Sequence, residues 1–169
     1  MNWLKYEYLY IFTKCIEQPL YTTLKKAYED VETTECTQRG FFYQDNMISV
    51  DECPENSLVV FDDCILVKQD IMQDYFVRSR HKNISCVYLS QNWTKLNFNI
   101  IRNNLNFLCV FKQNSFYIRQ IYNEVADNNM TLKDFKNVCK SAWKEDFGFL
   151  TINLTRKFIN GKYFNKFEY

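Results

Sequence analysis

Short apolar runs alternate along the chain with segments whose apolar residues recur at helical spacing. Uninterrupted runs of this kind are typical of strands that are buried on both faces of a parallel sheet. They predict strands at residues 8–12, 58–61, 84–89, 107–111 and 147–152. Apolar residues three or four positions apart predict helices that open near Pro19, Gln69, Tyr117 and Leu132.

The intervening polar stretch at residues 32–57 contains Gly40 and Pro54. It predicts a loop, with a small hairpin around residues 41–43. Strands that alternate with helices imply an α/β sandwich built around a mostly parallel sheet. A chain of 169 residues with 47% hydrophobic content is long enough for one such core, so we expect a single domain over residues 1–169.

Composition narrows the possible partners. The chain has 21 Lys and Arg against 20 Asp and Glu, a net charge of +1, so no overall field attracts it to nucleic acid or to an anionic membrane. Any DNA contact must be local or shared between subunits. The seven cysteines include no C-x-x-C pair and mostly lie in apolar runs, which predicts reduced thiols. Neither a secretory leader nor a membrane span is visible, so the sequence predicts an intracellular protein without membrane contact.

Candidate chemistry lies where buried strands end. Asp62 and Asp63 directly follow one strand, and Ser90-Gln91-Asn92 follows the next, so both groups fall on the same edge of a parallel sheet. The first of two consecutive carboxylates can hold a hydrated Mg²⁺ on nucleotide phosphates while the second orients an attacking water. An amide such as Gln91 can contact the γ-phosphate or that water. The competing interpretation is a strand end capped by solvated acids.

A string of motifs at this spacing resembles the FtsK–HerA superfamily, specifically the genome-packaging ATPases of poxviruses, other large DNA viruses and their virophage or transposon relatives. The likeness covers about residues 1–125; residues 126–169 add a helix, a strand and a basic–aromatic tail. The motifs are Phe61-Asp-Asp63, Arg80-His81, Tyr88-Leu-Ser-Gln91 and Arg102-Asn103.

The resemblance implies a P-loop NTPase-like fold of the ASCE or RecA type, which is a three-layer sandwich. It makes Asp62 the Walker B ligand of Mg²⁺, Asp63 the acid that activates water and Gln91 the sensor. It also implies an arginine finger that acts on a neighbouring subunit's nucleotide, with Arg80 as first choice and Arg78 or Arg102 as alternatives. ATP and Mg²⁺ are the implied cofactors. The implied partners are double-stranded DNA and a homo-oligomeric ring, such as a hexamer, in a host cytoplasm, viral factory or virion.

One family motif is missing. No G-x-x-x-x-G-K-[ST] loop, which would wrap the nucleotide phosphates, occurs in the sequence; the one Gly-Lys pair, Gly161-Lys162, is followed by Tyr163. In the family this loop precedes the strand that residues 8–12 resemble. The sequence therefore predicts an N-terminally truncated ATPase core, which is inactive alone. It could be a gene fragment, could have rearranged to close the gap, or could receive the missing strand from another polypeptide.

Two other functions compete with a motor. A decayed domain could persist as a non-enzymatic interaction or assembly protein. A nucleic-acid-binding module could use the tail, where basic and aromatic residues interleave in a pattern suited to stacking and phosphate contact. The tail residues concerned are Arg156, Lys157, Phe158, Lys162, Tyr163, Phe164, Lys166 and Phe167.

Overall fold

A computed structural model describes residues 5–32, 39–43, 46–64, 69–93, 98–126, 130–156 and 161–167. Its contacts divide the chain into two compact units, residues 1–104 and 105–169. The single domain expected over the whole chain stays a prediction. Among the described helices, none combines the length and apolar character that crossing a membrane requires.

A four-stranded parallel sheet forms the centre of the first unit. Its strand order is β2-β1-β3-β4, with strands at Tyr8–Thr13 (β1), Arg39–Tyr43 (β2), Ser57–Asp62 (β3) and Ser85–Leu89 (β4). The helices of this unit are Pro19–Glu32 (α1), Gln69–Arg78 (α2) and Phe98–Ile101 (α3), and 3-10 turns follow at Ser79–Lys82 and Arg102–Asn104. The α/β architecture with a parallel sheet, predicted from the alternating runs, is confirmed.

Helices cover both faces of this sheet. Tyr21 and Leu24 of α1 pack on the face that carries Leu9, Ile11 and Leu58. On the opposite face, Phe61 contacts two aromatic residues of α2, with ring centroids 5.4 Å apart for Tyr75 and 6.5 Å apart for Phe76. Successive side chains of a strand point to opposite faces, which separates these two layers of core. The first unit is therefore the three-layer arrangement that the sequence predicts.

The predicted hairpin at residues 41–43 is wrong. These residues belong to β2, which pairs in parallel with β1 at the edge of the sheet. Aromatic stacking explains the pairing, since the Phe41 ring lies 4.8 Å from that of Tyr10. Gly40 lets α1 approach the strand, because a Cβ there would lie 2.7 Å from the Tyr28 ring. A polar stretch thus contains a strand that is specified by contacts with its neighbours.

The second unit contains an antiparallel sheet of order β5-β6-β7. Its strands are Phe107–Phe111 (β5), Phe149–Asn153 (β6) and Tyr163–Asn165 (β7), and its helices are Ser115–Val125 (α4) and Leu132–Ala142 (α5). The sequence predicts that residues 107–111 are a doubly buried strand like the two before it. They pair antiparallel with β6 instead, and Phe107 and Phe111 are about half exposed. An apolar run specifies a strand but not the direction of its partner.

Both helices of the second unit begin with side-chain caps. The Asn114 side chain accepts hydrogen bonds from the backbone N–H groups of Phe116 and Tyr117. Thr131 Oγ1 accepts from Asp134 N at 3.2 Å and donates to the Asp134 carboxylate at 2.6 Å. The pair resembles a capping box with Asp in place of Glu, as the three-residue spacing predicts.

The described cysteines are unpaired thiols, and three of them, Cys53, Cys64 and Cys139, are buried. Burial raises the pKa of Cys64 and of Cys139 to about 11, so both stay protonated at neutral pH. Cys15 is exposed. Cys36 lies outside the described residues. Cys53 is buried although its sequence neighbours Asp51, Glu52 and Glu55 are polar, so an apolar run is not required for a buried thiol.

Candidate functional site

The order in which strands are added to the sheet reverses between two neighbouring parallel strands, β1 and β3. From β1 the chain passes through α1 to β2 on one side, and from β3 it passes through α2 to β4 on the other. In parallel α/β sheets, the crevice at the carboxyl ends of two such strands is the usual place for a ligand. Thr13 and Asp62 are paired residues at that position. We call this region, formed by the ends of β1, β3 and β4, the carboxyl-end edge.

Two hydroxyl groups fix the half-buried carboxylate of Asp62. Tyr21 Oη donates to Asp62 Oδ2 at 2.6 Å, and Thr13 Oγ1 donates to the same oxygen at 3.4 Å. Thr13 and Tyr21 are both buried. Because alternate residues of β3 face α1, Asp62 points toward the first turn of that helix, where Tyr21 lies. Both hydrogen bonds end on Oδ2, so they orient the group without using Oδ1.

The neighbouring Asp63 is exposed and has a left-handed backbone, with φ of 50°. Asp and Asn adopt this conformation more readily than most residues, and such positions concentrate at functional sites. The Asp63 N–H still donates to Leu89 O at 3.2 Å, which continues the pairing of β3 with β4 by one residue. The two consecutive carboxylates are thereby separated, one turned into the sheet layer and the other turned to solvent.

Gln91 lies on the same edge. Asp62 pairs in register with Leu89, and Gln91 follows two residues later as an exposed side chain. A tight turn holds this segment, because Ser90 Oγ accepts from Asn92 N at 3.2 Å and donates to Asn92 O at 3.1 Å. The structure therefore brings Asp62, Asp63 and Gln91 to one edge without direct contact between the amide and the carboxylates.

Arg80 lies at the other end of the sheet. It belongs to the 3-10 turn that precedes β4, and its guanidinium donates to Asn104 O at 3.4 Å. The five residues of β4 span about 17 Å at 3.3 Å per residue, which separates Arg80 from the carboxyl-end edge. Arg78 is also at this end and forms an ion pair with Asp51 at 2.5 Å. Neither arginine can reach Asp62 of its own chain.

Arg102, the remaining arginine candidate, is connected to the carboxyl-end edge through Trp93. Its guanidinium carbon lies 4.6 Å from the centroid of the Trp93 ring. Trp93 follows Gln91 by two positions in the sequence. Burial lowers the pKa of Arg102 to about 10, which leaves it charged at neutral pH. Stacking on an indole fixes the plane of a guanidinium. Among the three arginines, Arg102 is the one that contacts the segment after Gln91, through Trp93.

Sequence reasoning missed Thr13 and Tyr21 at this edge, and it named Tyr88 in a motif without giving that residue a role. Tyr88 Oη is buried without a hydrogen-bond partner in the described part of the chain. Burial raises the pKa of Tyr88, and the nearby Cys64 and Asp63 raise it further. One signal was available for Tyr21, since a helix that opens soon after β1 must place its first turn over the end of that strand.

The donor set suits a magnesium ion that also binds phosphate. No cluster of three or more His, Cys, Asp or Glu side chains able to hold a metal occurs in the described residues. Mg²⁺ on nucleotide phosphates needs only one or two protein carboxylates, because phosphate oxygens and waters supply the other ligands. Asp62 fits this role, since its Oδ1 accepts neither of the two hydroxyl hydrogen bonds.

The basic–aromatic tail is partly used inside the fold. Lys162 is buried and its ammonium donates to Val125 O at 2.8 Å. Lys166 forms an ion pair with Glu145 at 2.6 Å. Lys157 and Phe158 lie outside the described residues. Two of the cations that suggested a nucleic-acid-binding strip therefore have partners within the protein, a backbone carbonyl for Lys162 and a carboxylate for Lys166.

An expected coupling follows from the short contact between Tyr21 and Asp62. Removing the Tyr21 hydroxyl (Tyr21→Phe) in the wild-type and in the Asp62→Asn background should give a coupling of about 1–1.5 kcal/mol, the difference between a hydrogen bond to a carboxylate and one to the asparagine amide oxygen. Urea unfolding of the four proteins measures it. Tyr28 offers a matched control on the same helix, because its hydroxyl contacts Tyr6 at 2.9 Å. Tyr28→Phe should add to Asp62→Asn without coupling; equal couplings would remove the assigned role.

Comparisons with known proteins show no family for this chain. No protein-family model matches the chain, and no curated protein matches it. A solved structure, the genome packaging NTPase B204 from Sulfolobus turreted icosahedral virus 2 in complex with AMPPCP, is similar with a TM-score of 0.48 and 10% identity over 89% of this chain and 93% of that chain. A likeness of this size transfers neither that protein's nucleotide nor its activity to residues of this chain.

Proposed function

We propose that this chain supplies the Mg²⁺-binding and water-activating half of an ATPase site in a motor that packages or translocates double-stranded DNA. The observation that carries the proposal is the placement of Asp62 and Asp63 where the strand order reverses between β1 and β3, with Gln91 on the same edge of the sheet. The motif string that resembles the viral packaging ATPases supports the same function.

Each residue has a distinct task in the proposed site. Asp62, oriented by Tyr21 and Thr13, would hold Mg²⁺, which neutralises charge on the nucleotide phosphates when bound. Asp63 is exposed and would accept a proton from the attacking water or align it. Gln91 would contact the γ-phosphate or that water through its amide.

The phosphate-binding loop would have to come from another segment. In the resembled family, the strand that leads into this loop lies beside the Walker B strand or one strand away from it. Here the Walker B strand would be β3, which lies between β1 and β4, and the outer edge of β4 pairs with no strand in the described part of the chain. That edge is the place where a further parallel strand could complete the sheet.

The positions of the three arginines bear on which of them would act on a neighbouring subunit's nucleotide. Arg80 and Arg78 lie at the opposite end of the sheet from the carboxylates, so either could act only on a neighbouring subunit's nucleotide, as in a ring. Arg102 could act within its own chain, since it stacks on Trp93 near Gln91. We retain Arg80 as the proposed finger in a homo-oligomeric ring and give Arg102 the role of supporting the Gln91 segment.

Manganese binding tests the proposal directly. Mn²⁺ with ATP, monitored by electron paramagnetic resonance, should bind the chain, and Asp62→Asn should weaken binding at least about tenfold because one carboxylate ligand is lost. Asp146→Asn removes an exposed acid elsewhere and should leave the affinity unchanged. Absence of ATP-dependent Mn²⁺ binding by the wild-type chain, alone and after fusion of a phosphate-loop segment upstream, would overturn the proposal.

A non-enzymatic assembly role is the second candidate. It is favoured by one observation, the lack of any G-x-x-x-x-G-K-[ST] loop in the sequence. Under this function the chain folds, binds no nucleotide, and tolerates Asp62→Ala without losing its partner. The Mn²⁺ experiment separates the two candidates, since micromolar ATP-dependent binding excludes the second.

A further inference from the structure

One face of α5 carries a row of lysines. Lys133, Lys136 and Lys140 follow one another at intervals of three and four residues, which places them on the same side of the helix. Asn137 lies between them. The opposite side of the helix is buried, with Phe135 and Cys139 fully enclosed. We call Lys133, Lys136, Asn137 and Lys140 the lysine face; it borders an open depression of about 400 Å³ that is also lined by Leu132.

The charges of the lysine face are available to a partner. Several other lysines have hydrogen-bond or ion-pair partners within the protein. The Lys82 ammonium donates to the backbone carbonyls of Val50, Asp51 and Cys53. Lys162 and Lys166 are held by Val125 O and Glu145. No ion pair within 4.0 Å involves Lys133, Lys136 or Lys140 in the part of the chain that the structure describes. The nearest acid on the helix, Asp134, is hydrogen-bonded to Thr131.

We propose that the lysine face of α5 binds the phosphate backbone of double-stranded DNA. Three ammonium groups along a rigid helix cover about 10 Å, from Lys133 to Lys140 at 1.5 Å per residue. Ammonium groups act as point charges on phosphates, and an amide such as Asn137 donates hydrogen bonds to phosphate oxygens. The proposal goes beyond the ATPase site, because this surface uses neither Asp62 nor nucleotide.

The surroundings favour duplex DNA over other polyanions. A membrane-surface helix inserts its apolar side into the lipid, but the apolar side of α5 is buried in the second unit. Single strands bind through aromatic rings on which bases stack, and the lysine face contains none. The duplex presents a rigid, regular array of phosphates with its bases inside, which matches a row of point charges. An acidic peptide is left as an outcome of the test.

Fluorescence anisotropy with a labelled 30-base-pair duplex tests the proposal on the full chain. Three phosphate contacts give a slope of about −2.7 in log K against log salt, so affinity should fall about 40-fold between 50 and 200 mM salt. Lys133→Gln/Lys136→Gln/Lys140→Gln should bind at least about tenfold more weakly at 50 mM salt, with a slope near zero. Lys25→Gln/Lys26→Gln/Lys112→Gln removes the same charge from exposed positions elsewhere and should stay within about threefold of wild type.

Each other outcome counts against the proposal. Equal losses in the two triple variants would show that only net charge matters. Tighter binding of a single strand, of a polyglutamate peptide or of phosphatidylserine vesicles would assign the face to another partner, and no duplex binding by wild type would remove the site. Far-ultraviolet circular dichroism confirms that both variants fold. Duplex binding needs no nucleotide. A failure of duplex binding therefore contradicts the DNA site on the lysine face, whereas a failure of ATP-dependent Mn²⁺ binding contradicts the proposed ATPase site.

Discussion

Replacing Asp63 with asparagine is expected to lower ATP turnover by about 10²–10⁴-fold, the range for loss of a positioned general base. The measurement uses a fusion that supplies a phosphate-loop segment upstream of the chain. Mn²⁺·ATP affinity should change little, because Asp63 is exposed and carries neither hydroxyl contact that orients Asp62. A loss of kcat without a loss of affinity identifies a residue that acts on the reaction and not on binding.

Two variants control this experiment. Asp63→Glu keeps the carboxylate, and many relatives in the wider superfamily that the sequence resembles place Glu there, so it should retain more activity than Asp63→Asn. Asp62→Asn should instead lose Mn²⁺ affinity first. A folded fusion whose turnover is the same with Asp63 and with Asn would show that this carboxylate is not the base.

Much of the site could be predicted because it depends on strand ends. The run at residues 58–61 specifies a buried strand, and a polar residue directly after such a strand must lie at the edge of the sheet. That argument placed Asp62, Asp63 and Gln91 correctly on one edge. It did not place Tyr21. The short connection after β1 predicts that the first turn of α1 lies over the end of that strand, but which side chain of that turn contacts Asp62 depends on the path of the connection.

The arginines illustrate a second limit. Arg80 and Gln91 are eleven positions apart in sequence, yet β4 separates them by its full length. Spacing along the chain therefore predicted a shared motif but not which end of the sheet each member occupies. Arg102 is also eleven positions from Gln91, but it returns to the segment after Gln91 through its stacking on Trp93. Tertiary contacts, which sequence spacing does not encode, decide this order.

Sheet partners were the least predictable part of the fold. The aromatic residues of β2 form a run of only three within a polar stretch, so the sequence does not show which strand they pair with. Stacking of Phe41 on Tyr10 and of Tyr43 on Phe12 holds it at the edge. Conversely, β5 has the apolar run typical of a parallel strand but pairs antiparallel with β6. Cross-strand contacts select partner and direction, and they are long-range in sequence.

Truncating Phe61 to alanine is expected to destabilise the chain by about 3–5 kcal/mol, the range for deleting a fully buried aromatic side chain. Phe61 is fully buried. Its ring lies 5.5 Å from that of Phe12, 5.4 Å from that of Tyr75 and 6.3 Å from that of Tyr88, so the cavity would touch β1, α2 and β4 together. Urea unfolding should show a lower midpoint at an unchanged slope.

Phe116→Ala provides the matched control, because Phe116 is 62% exposed on α4. This substitution should lower the free energy of unfolding by less than about 0.5 kcal/mol. Phe61→Leu should fall between the two, since it refills part of the cavity. The comparison of Phe61→Ala with Phe116→Ala also tests the support of the carboxyl-end edge. Phe61 immediately precedes Asp62 and packs on the face of β3 opposite to Tyr21. If Phe61→Ala cost no more than Phe116→Ala, β3 would not be the central strand on which the carboxyl-end edge is built.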